Sequence, residues 1–388
     1  MYQENEKVNL QGLPDNVYIK IKIGYRKILF EKLKRRFNSL YNLAKQTRIK
    51  CTYLYHYKNG GYCVSLRVLR KIFDLFPDKE IPKWMNKIER NLELIKFGIR
   101  NSKPIINPKF PVVFSDHKIK LSRIVGHLVG DGGVVNKVSD YHVHYTNKSK
   151  KLIEQFKQDV LNVFGNVHFS EGTDKRSKVY WIQFPSILGI MLMKLFGPQI
   201  KESKHIPKLI LNGDEEIKSI FLRAIFDDEG SVIISKYTIS FTITNKKIAE
   251  DVKELLRGFG IRPNKTFKMV AAGNQKSKYK FTITGKKDFQ AFKNFVKFDH
   301  PAKKRKLEKM LERYTKCQYK KGEFKKLVID TLRKKGKLTI LEIAKQLERT
   351  PSGSFRDRIR ELEKKNIITS NVIRGKTKFY KIKTIDSN

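Results

Sequence analysis

One stretch of this chain says the same thing twice. Ile124–Gly132 (IVGHLVGDG) and Leu222–Gly230 (LRAIFDDEG) are apolar segments at helical spacing, each ending in an acid followed by glycine. The landmarks after them keep register: Asn147 lies 16 residues after Asp131, and Asn245 lies 16 after Glu229. Each Asn sits between Thr and Lys at the end of an alternating strand. A helix closing on Phe-Gly follows in both copies (Phe164-Gly165, Phe259-Gly260), and then a Ser-Lys pair opening another strand (Ser177-Lys178, Ser277-Lys278). A duplicated α+β unit with pseudo-two-fold symmetry is the simplest fold that accounts for so many matched positions.

The strands have a period of two, which separates two faces. Tyr237, Ile239, Phe241 and Ile243 form one; Thr238, Ser240, Thr242 and Thr244 form the other. The first copy repeats this, with Tyr141, Val143 and Tyr145 against His142, His144 and Thr146. The polar faces suit a groove lined with phosphates and base edges, so His142, His144, Thr146, Ser240, Thr242 and Thr244 are candidate DNA contacts, joined by Lys178, Lys278 and Lys280. A metal pair at His142 and His144 is disfavoured, because Ser240 and Thr242, their counterparts, are not ligands of that kind.

A carboxylate at a helix C-terminus opposes the macrodipole, yet both copies place an acid there. Two such acids in a duplicated fold ask for a cation. Gly126 and Gly130 share one helix face; Ala224 and Asp228 hold those places in the second copy. Packing through these small residues is expected to bring the helix ends, with Asp131 and Glu229, together. Asp228 stands where a small residue is usual, so looser packing is expected there. Mg²⁺ or another hard divalent cation needs few protein oxygens and takes the rest from water and phosphate.

These segments resemble the paired motifs of the LAGLIDADG homing-endonuclease family in its single-chain, two-repeat form, over roughly Leu121–Leu311. The resemblance implies an αββαββα core, present twice, a saddle of two sheets over DNA, and Mg²⁺-dependent hydrolysis of both strands. The family's catalytic and metal-binding acids would be Asp131 and Glu229, with Lys204 and Lys304 as candidate charge-stabilising residues or, equally, phosphate contacts. Position six of the motif, often Asp, is Val129 in one copy and Asp227 in the other.

Flanking segments complete the organisation. Within 1–100, Ser39–Ile49, Thr52–Tyr57 and Leu66–Phe73 read as helices. They have the layout of a helix-turn-helix with Tyr53 and Lys58 available to DNA, or of an unspecialised three-helix bundle. Prolines in Ser102–Pro111 mark a linker. The core is expected over 112–314, as repeats at about 118–212 and 213–314. From 320 to 388, three helices, the second spanning Leu338–Leu347, and a hairpin at Arg374-Gly375 resemble a winged helix, for DNA or for protein contacts. Arg356, Arg360 and Lys376 are its candidate DNA contacts.

Charge agrees with a polyanionic partner. Lys and Arg number 83 against 38 Asp and Glu, a net charge of +45 spread along the whole chain. The chain lacks an apolar run of membrane-spanning length and a signal-peptide core, and its three cysteines show no zinc spacing. A cytoplasmic, nucleoid-associated monomer with an internal pseudo-dimer is expected, and the family resemblance together with the lysine-rich composition points to an archaeon. Met1 offers no Cys or Ser nucleophile, so a protein-splicing element is not expected. The expectation is a site-specific, double-strand DNA endonuclease. A non-catalytic transcription regulator and an intron RNA maturase are the alternatives.

Overall fold

The computed structural model describes residues 6–98, 102–135, 140–197, 205–270, 277–312, 322–351, 353–373 and 377–383. Lys204, Lys376, Cys317 and the Arg374-Gly375 hairpin tip lie outside the described residues. The chain divides into two compact units, Met1–Asp228 and Glu229–Asn388.

The N-terminal segment contains the expected helices and also a sheet. In order it holds β1 (Val17–Ile21), α1 (Ile23–Arg36), α2 (Leu40–Thr47), α3 (Cys51–Asn59), β2 (Val64–Ser65), α4 (Leu66–Phe73), α5 (Ile81–Glu89) and β3 (Leu92–Phe97). Val17, Ile19 and Ile21 alternate with half-buried Tyr18 and Lys20, which makes β1 a one-faced strand. Ser39 caps α2 through its hydroxyl to the Asn42 amide, 3.0 Å. Arg48 turns in the left-handed region, and α3 then runs to Gly60, whose φ of 80° ends it. The expected linker corrects itself into structure: β4 (Ile105–Ile106) pairs with β3 and with Asn166–Val167 of the first repeat. Its flanking prolines shorten the strand without abolishing it.

The first repeat runs α6 (Lys118–Val129), β5 (Gly132–Val134), β6 (Val143–Asn147), α7 (Lys150–Phe164), β7 (Asn166–Val167), β8 (Ser170–Asp174), β9 (Val179–Phe184) and α8 (Ser186–Phe196). Its antiparallel sheet has the order β8-β9-β6-β5. Val143, Tyr145, Ile182 and Phe184 are buried on one face. The register places Thr146 beside Trp181 and His144 beside Gln183 on the other.

The second motif helix, α9 (Glu215–Glu229), leads into β10 (Gly230–Ile233), β11 (Thr238–Ile243), α10 (Lys246–Gly258), β12 (Phe267–Met269), β13 (Lys278–Ile283), α11 (Lys286–Ala291) and α12 (Pro301–Glu312). The sheet order is β10-β11-β13-β12, the same plan again. The αββαββα architecture expected from the repeat is therefore present in both copies. One detail differs from the alternation. Thr238 and Ser240, assigned to the open face, are 9% and 3% exposed. Ser240 Oγ meets Ser231 Oγ at 2.8 Å across the strand pair, and a satisfied hydroxyl can be buried at little cost.

The C-terminal segment is α13 (Glu323–Lys335), β14 (Leu338–Thr339), α14 (Ile340–Gln346), α15 (Gly353–Lys364), β15 (Ile368–Ile373) and β16 (Thr377–Ile382), with sheet order β14-β16-β15. It has its own core, including Phe324, Val328, Ile343, Phe355 and Ile359. Leu338 and Thr339 pair with Tyr380 and Phe379 instead of opening the helix, so α14 starts two residues later than Leu338. Thr339 is its N-cap, in a reciprocal capping box with Glu342. Among the described residues, no helix is long and apolar enough to cross a membrane.

Candidate functional site

The site begins with a close helix contact inside the first unit. A Cβ on Gly126 would lie 2.6 Å from Ala224 Cβ and 2.9 Å from the Phe221 carbonyl oxygen. Any side chain at 126 would therefore push α6 and α9 apart. One turn on, a Cβ on Gly130 would lie 2.6 Å from Asp228 Oδ2. The looser packing expected at Asp228 is not found: Gly130 leaves a notch and the Asp228 carboxylate fills it.

Asp228 is a fully buried acid, its side chain 0% exposed. Such a group needs hydrogen-bond donors. Tyr145 Oη donates to Oδ1 at 2.8 Å and Asn147 Nδ2 to the same oxygen at 3.0 Å. His127 Nδ1 lies 3.0 Å from Oδ2. Burial lowers the His127 pKa, but the Asp228 charge and hydrogen bond outweigh it and the net shift is upward. Burial, then the Asp228 charge, lifts the Tyr145 hydroxyl well above its ordinary value, so it stays a donor.

Asp131 stands just beyond this core, exposed. Its helix ends at Val129 with Gly130 as the C-cap. Asn147 Nδ2 donates to Asp131 Oδ2 at 3.2 Å, and Thr146 Oγ1 to its carbonyl oxygen at 3.2 Å. Thr146, a candidate DNA contact, thus also braces the motif turn. Glu229, the matching acid, is the last residue of α9 and is half-buried.

The other candidates are scattered over the two units. His142 is braced by Asp140 at 2.9 Å. His144 is half-buried and burial lowers its pKa, so it offers a neutral ring to the sheet face. Lys178 is exposed at the turn between β8 and β9. Thr242 and Lys280 pair across β11 and β13, while Thr244 and Lys278 are exposed at the strand ends. Lys304 is exposed on α12. Tyr53 is 44% exposed, whereas Lys58 is held by Glu31 at 3.0 Å. Arg360 pairs with Asp357. Arg356 reaches the Ser235 carbonyl oxygen at 3.0 Å, so its guanidinium ties α15 to the second repeat.

Sequence reasoning missed four members of the first unit's site. His127, Tyr145 and Asn147 were visible only as repeat landmarks or core positions, and the Asn at a fixed offset was the one available signal. Trp181 was the fourth. It is 36% exposed on the sheet's polar face, its ring seated against Gly172, where a Cβ would be 2.8 Å from the indole.

Residues 216–297 match the family model described as a LAGLIDADG-like domain. That segment is a LAGLIDADG-like domain. The match takes in the second copy of the motif, Leu222–Gly230. Among curated relatives, the chain is 25% identical over 225 residues to a glutamine–fructose-6-phosphate aminotransferase of Methanocaldococcus jannaschii, covering 56% of this chain and 19% of that protein. It is 29% identical over 200 residues to the replication factor C small subunit of the same organism, covering 51% of this chain and 10% of the relative. The chain therefore spans less than a fifth of the length of these relatives. Among solved structures, I-DmoI in complex with DNA and Ca aligns at 17% identity and a TM-score of 0.38, covering 50% of this chain and 98% of that one. Full-length DUF199/WhiA from Thermatoga maritima aligns at 13% identity and 0.38, covering 64% and 91%.

Proposed function

We propose that this LAGLIDADG protein is a site-specific DNA endonuclease, with Asp131 and Glu229 as the acids contributed by its two repeats. The observation that carries the reading is Asp131 itself. An exposed carboxylate is held by Asn147 at the end of a helix packed through Gly126, in a chain of net charge +45. A protein that only binds DNA gains nothing from an oriented anion on such a surface, since it repels phosphate. The relatives point to a shared module. An aminotransferase and a replication factor have unrelated activities, and what they have in common with this chain is at most a fifth of their length.

The donor set suits a hard cation. Carboxylate oxygens fit Mg²⁺, which retains waters and accepts phosphate oxygens. When bound, it supplies positive charge at the scissile phosphate. Asp131 and Glu229 would hold it, Asn147 orients Asp131, and the sheet faces bearing His144, Gln183, Thr242 and Lys280 contact the grooves. The basic surface gives salt-dependent affinity.

The test is incubation with plasmid and flanking genomic DNA in Mg²⁺, Mn²⁺ and Ca²⁺, beside Asp131→Asn and Glu229→Gln. Site-specific double-strand cutting should fall by about 100-fold or more in each variant, with DNA binding retained. Cutting that survives both substitutions rejects the assignment. The second reading, a transcription regulator, draws on the N-terminal helices and the C-terminal helices and hairpin that flank the repeats, which cutting does not require. Specific binding without cutting in any of the three metals would favour it, and a preference for structured RNA would favour a maturase.

A further inference from the structure

Asp228 has no role in the reading above, and its surroundings call for one. An apolar side chain at position 228 would carry no cost of burying a charge. A buried acid is tolerated only when its lone pairs are satisfied, and here both oxygens are. What the acid adds over an apolar filler is direction.

That direction passes through Asn147. The Asn147 Oδ1 accepts from the Ser149 amide at 2.9 Å, which fixes which end of the side-chain amide faces the acids. Nδ2 carries two hydrogens and stands between two carboxylates, 3.0 Å from Asp228 Oδ1 and 3.2 Å from Asp131 Oδ2. Asp228 Oδ2 also faces the Asp131 backbone N–H at 3.5 Å. The exposed acid is therefore tethered to the buried one by its side chain, through Asn147, and by its backbone. Tyr145 and His127 hold the anchor from the other side, and His127 is itself wedged against Tyr145 and Phe156.

We infer that Asp228 is a positioning residue which, through Asn147, sets the orientation of the Asp131 carboxylate toward its cation. The inference rests on the endonuclease reading for its consequence in cutting, but its effect on cation binding is separable from catalysis.

The test uses the full chain with Asp228→Asn, Asn147→Ala and Tyr145→Phe, and the double variant of the first two. Each is checked by thermal unfolding. Three quantities are read: Mn²⁺ affinity by electron paramagnetic resonance, DNA affinity, and single-turnover cleavage. Asp228→Asn and Asn147→Ala should each weaken Mn²⁺ binding and slow cleavage by about tenfold or more, with DNA affinity unchanged. Tyr145→Phe should show a smaller effect of the same kind. The double variant should be no worse than the poorer single one, because both break one tether. Wild-type Mn²⁺ affinity in folded Asp228→Asn, or losses that simply add in the double variant, overturns the inference. If Asp228→Asn fails to fold, Asn147→Ala against Tyr145→Phe decides it on the same readouts, and unchanged Mn²⁺ affinity in both rejects it. A wild-type protein that binds Mn²⁺ but cuts nothing removes the endonuclease reading alone. A wild-type protein that binds no Mn²⁺ removes both.

Discussion

The two motif helices end differently. In the first repeat the helix stops at Val129, and Asp131 stands outside it after the Gly130 cap. In the second, α9 continues unbroken to Glu229 and the strand begins at the next residue. The acid inside the helix has the longer side chain and the acid outside it the shorter one. Duplication has preserved the offset to the following Asn while the backbone at the helix end has diverged. The sheets diverge as well. Where the first presents Trp181 and Gln183, the second presents Lys278 and Lys280, with Phe267 exposed on its edge strand. The first repeat offers a flat aromatic surface and the second offers point charges.

The largest test of this contrast concerns the helix contact. Gly126→Leu should destabilise the protein by about 3 kcal/mol or more, and Ala224→Gly by only about 1, read by urea unfolding. Equal stability of Gly126→Leu and wild type would mean the close approach is not real.

A second test uses a buried acid found in one repeat only. Asp159, 12 residues after Asn147, is buried beside Arg123 with 3.0 Å between Oδ2 and Nη1; the residue 12 after Asn245 is the exposed Arg257. Burial lifts Asp159 from 3.8 to about 6 despite Arg123. The folded protein thus binds protons more tightly than the unfolded chain, and stability falls as pH rises from about 4 to about 6. Asp159→Asn should remove that dependence, on the order of 3 kcal/mol across the window. An unchanged pH profile would sink the assignment.

The sheet faces give smaller effects that differ in kind. Trp181→Ala should weaken DNA binding by about 1–2 kcal/mol without altering its salt slope. Lys278→Ala and Lys280→Ala should each lower the slope by about one. A salt slope lowered by Trp181→Ala would erase the distinction between the faces. The smallest change lies outside both repeats: Thr339→Ala, which removes the α14 cap, should cost about 1 kcal/mol in urea unfolding.

What could be read in the sequence is what repeats or follows a fixed period. Matching offsets exposed the duplication, and small residues four apart exposed the Gly126 and Gly130 face. What could not be read is what depends on distant partners. Asp228 meets His127 across 101 residues and Asn147 across 81, and no local pattern announces such a meeting. Ser240 has the alternation of a surface hydroxyl, and only its pairing with Ser231 explains its burial. The N-terminal sheet escaped notice because three of its strands, β2, β4 and β7, are two residues long and carry no periodicity.

The short strand β4 has a consequence for how the first unit could grip a nucleic acid. Because Ile105 and Ile106 pair with Leu94 and Ile95 on one side and with Asn166 and Val167 on the other, the N-terminal helices and the first repeat share one hydrogen-bonded sheet. A helix pair on a slack tether would search for its target independently. Here the two parts keep a set phase, so any stretch of duplex that engages both must present its two half-sites at a fixed helical angle, and inserting half a turn of DNA, about 5 base pairs, between them would uncouple the two grips.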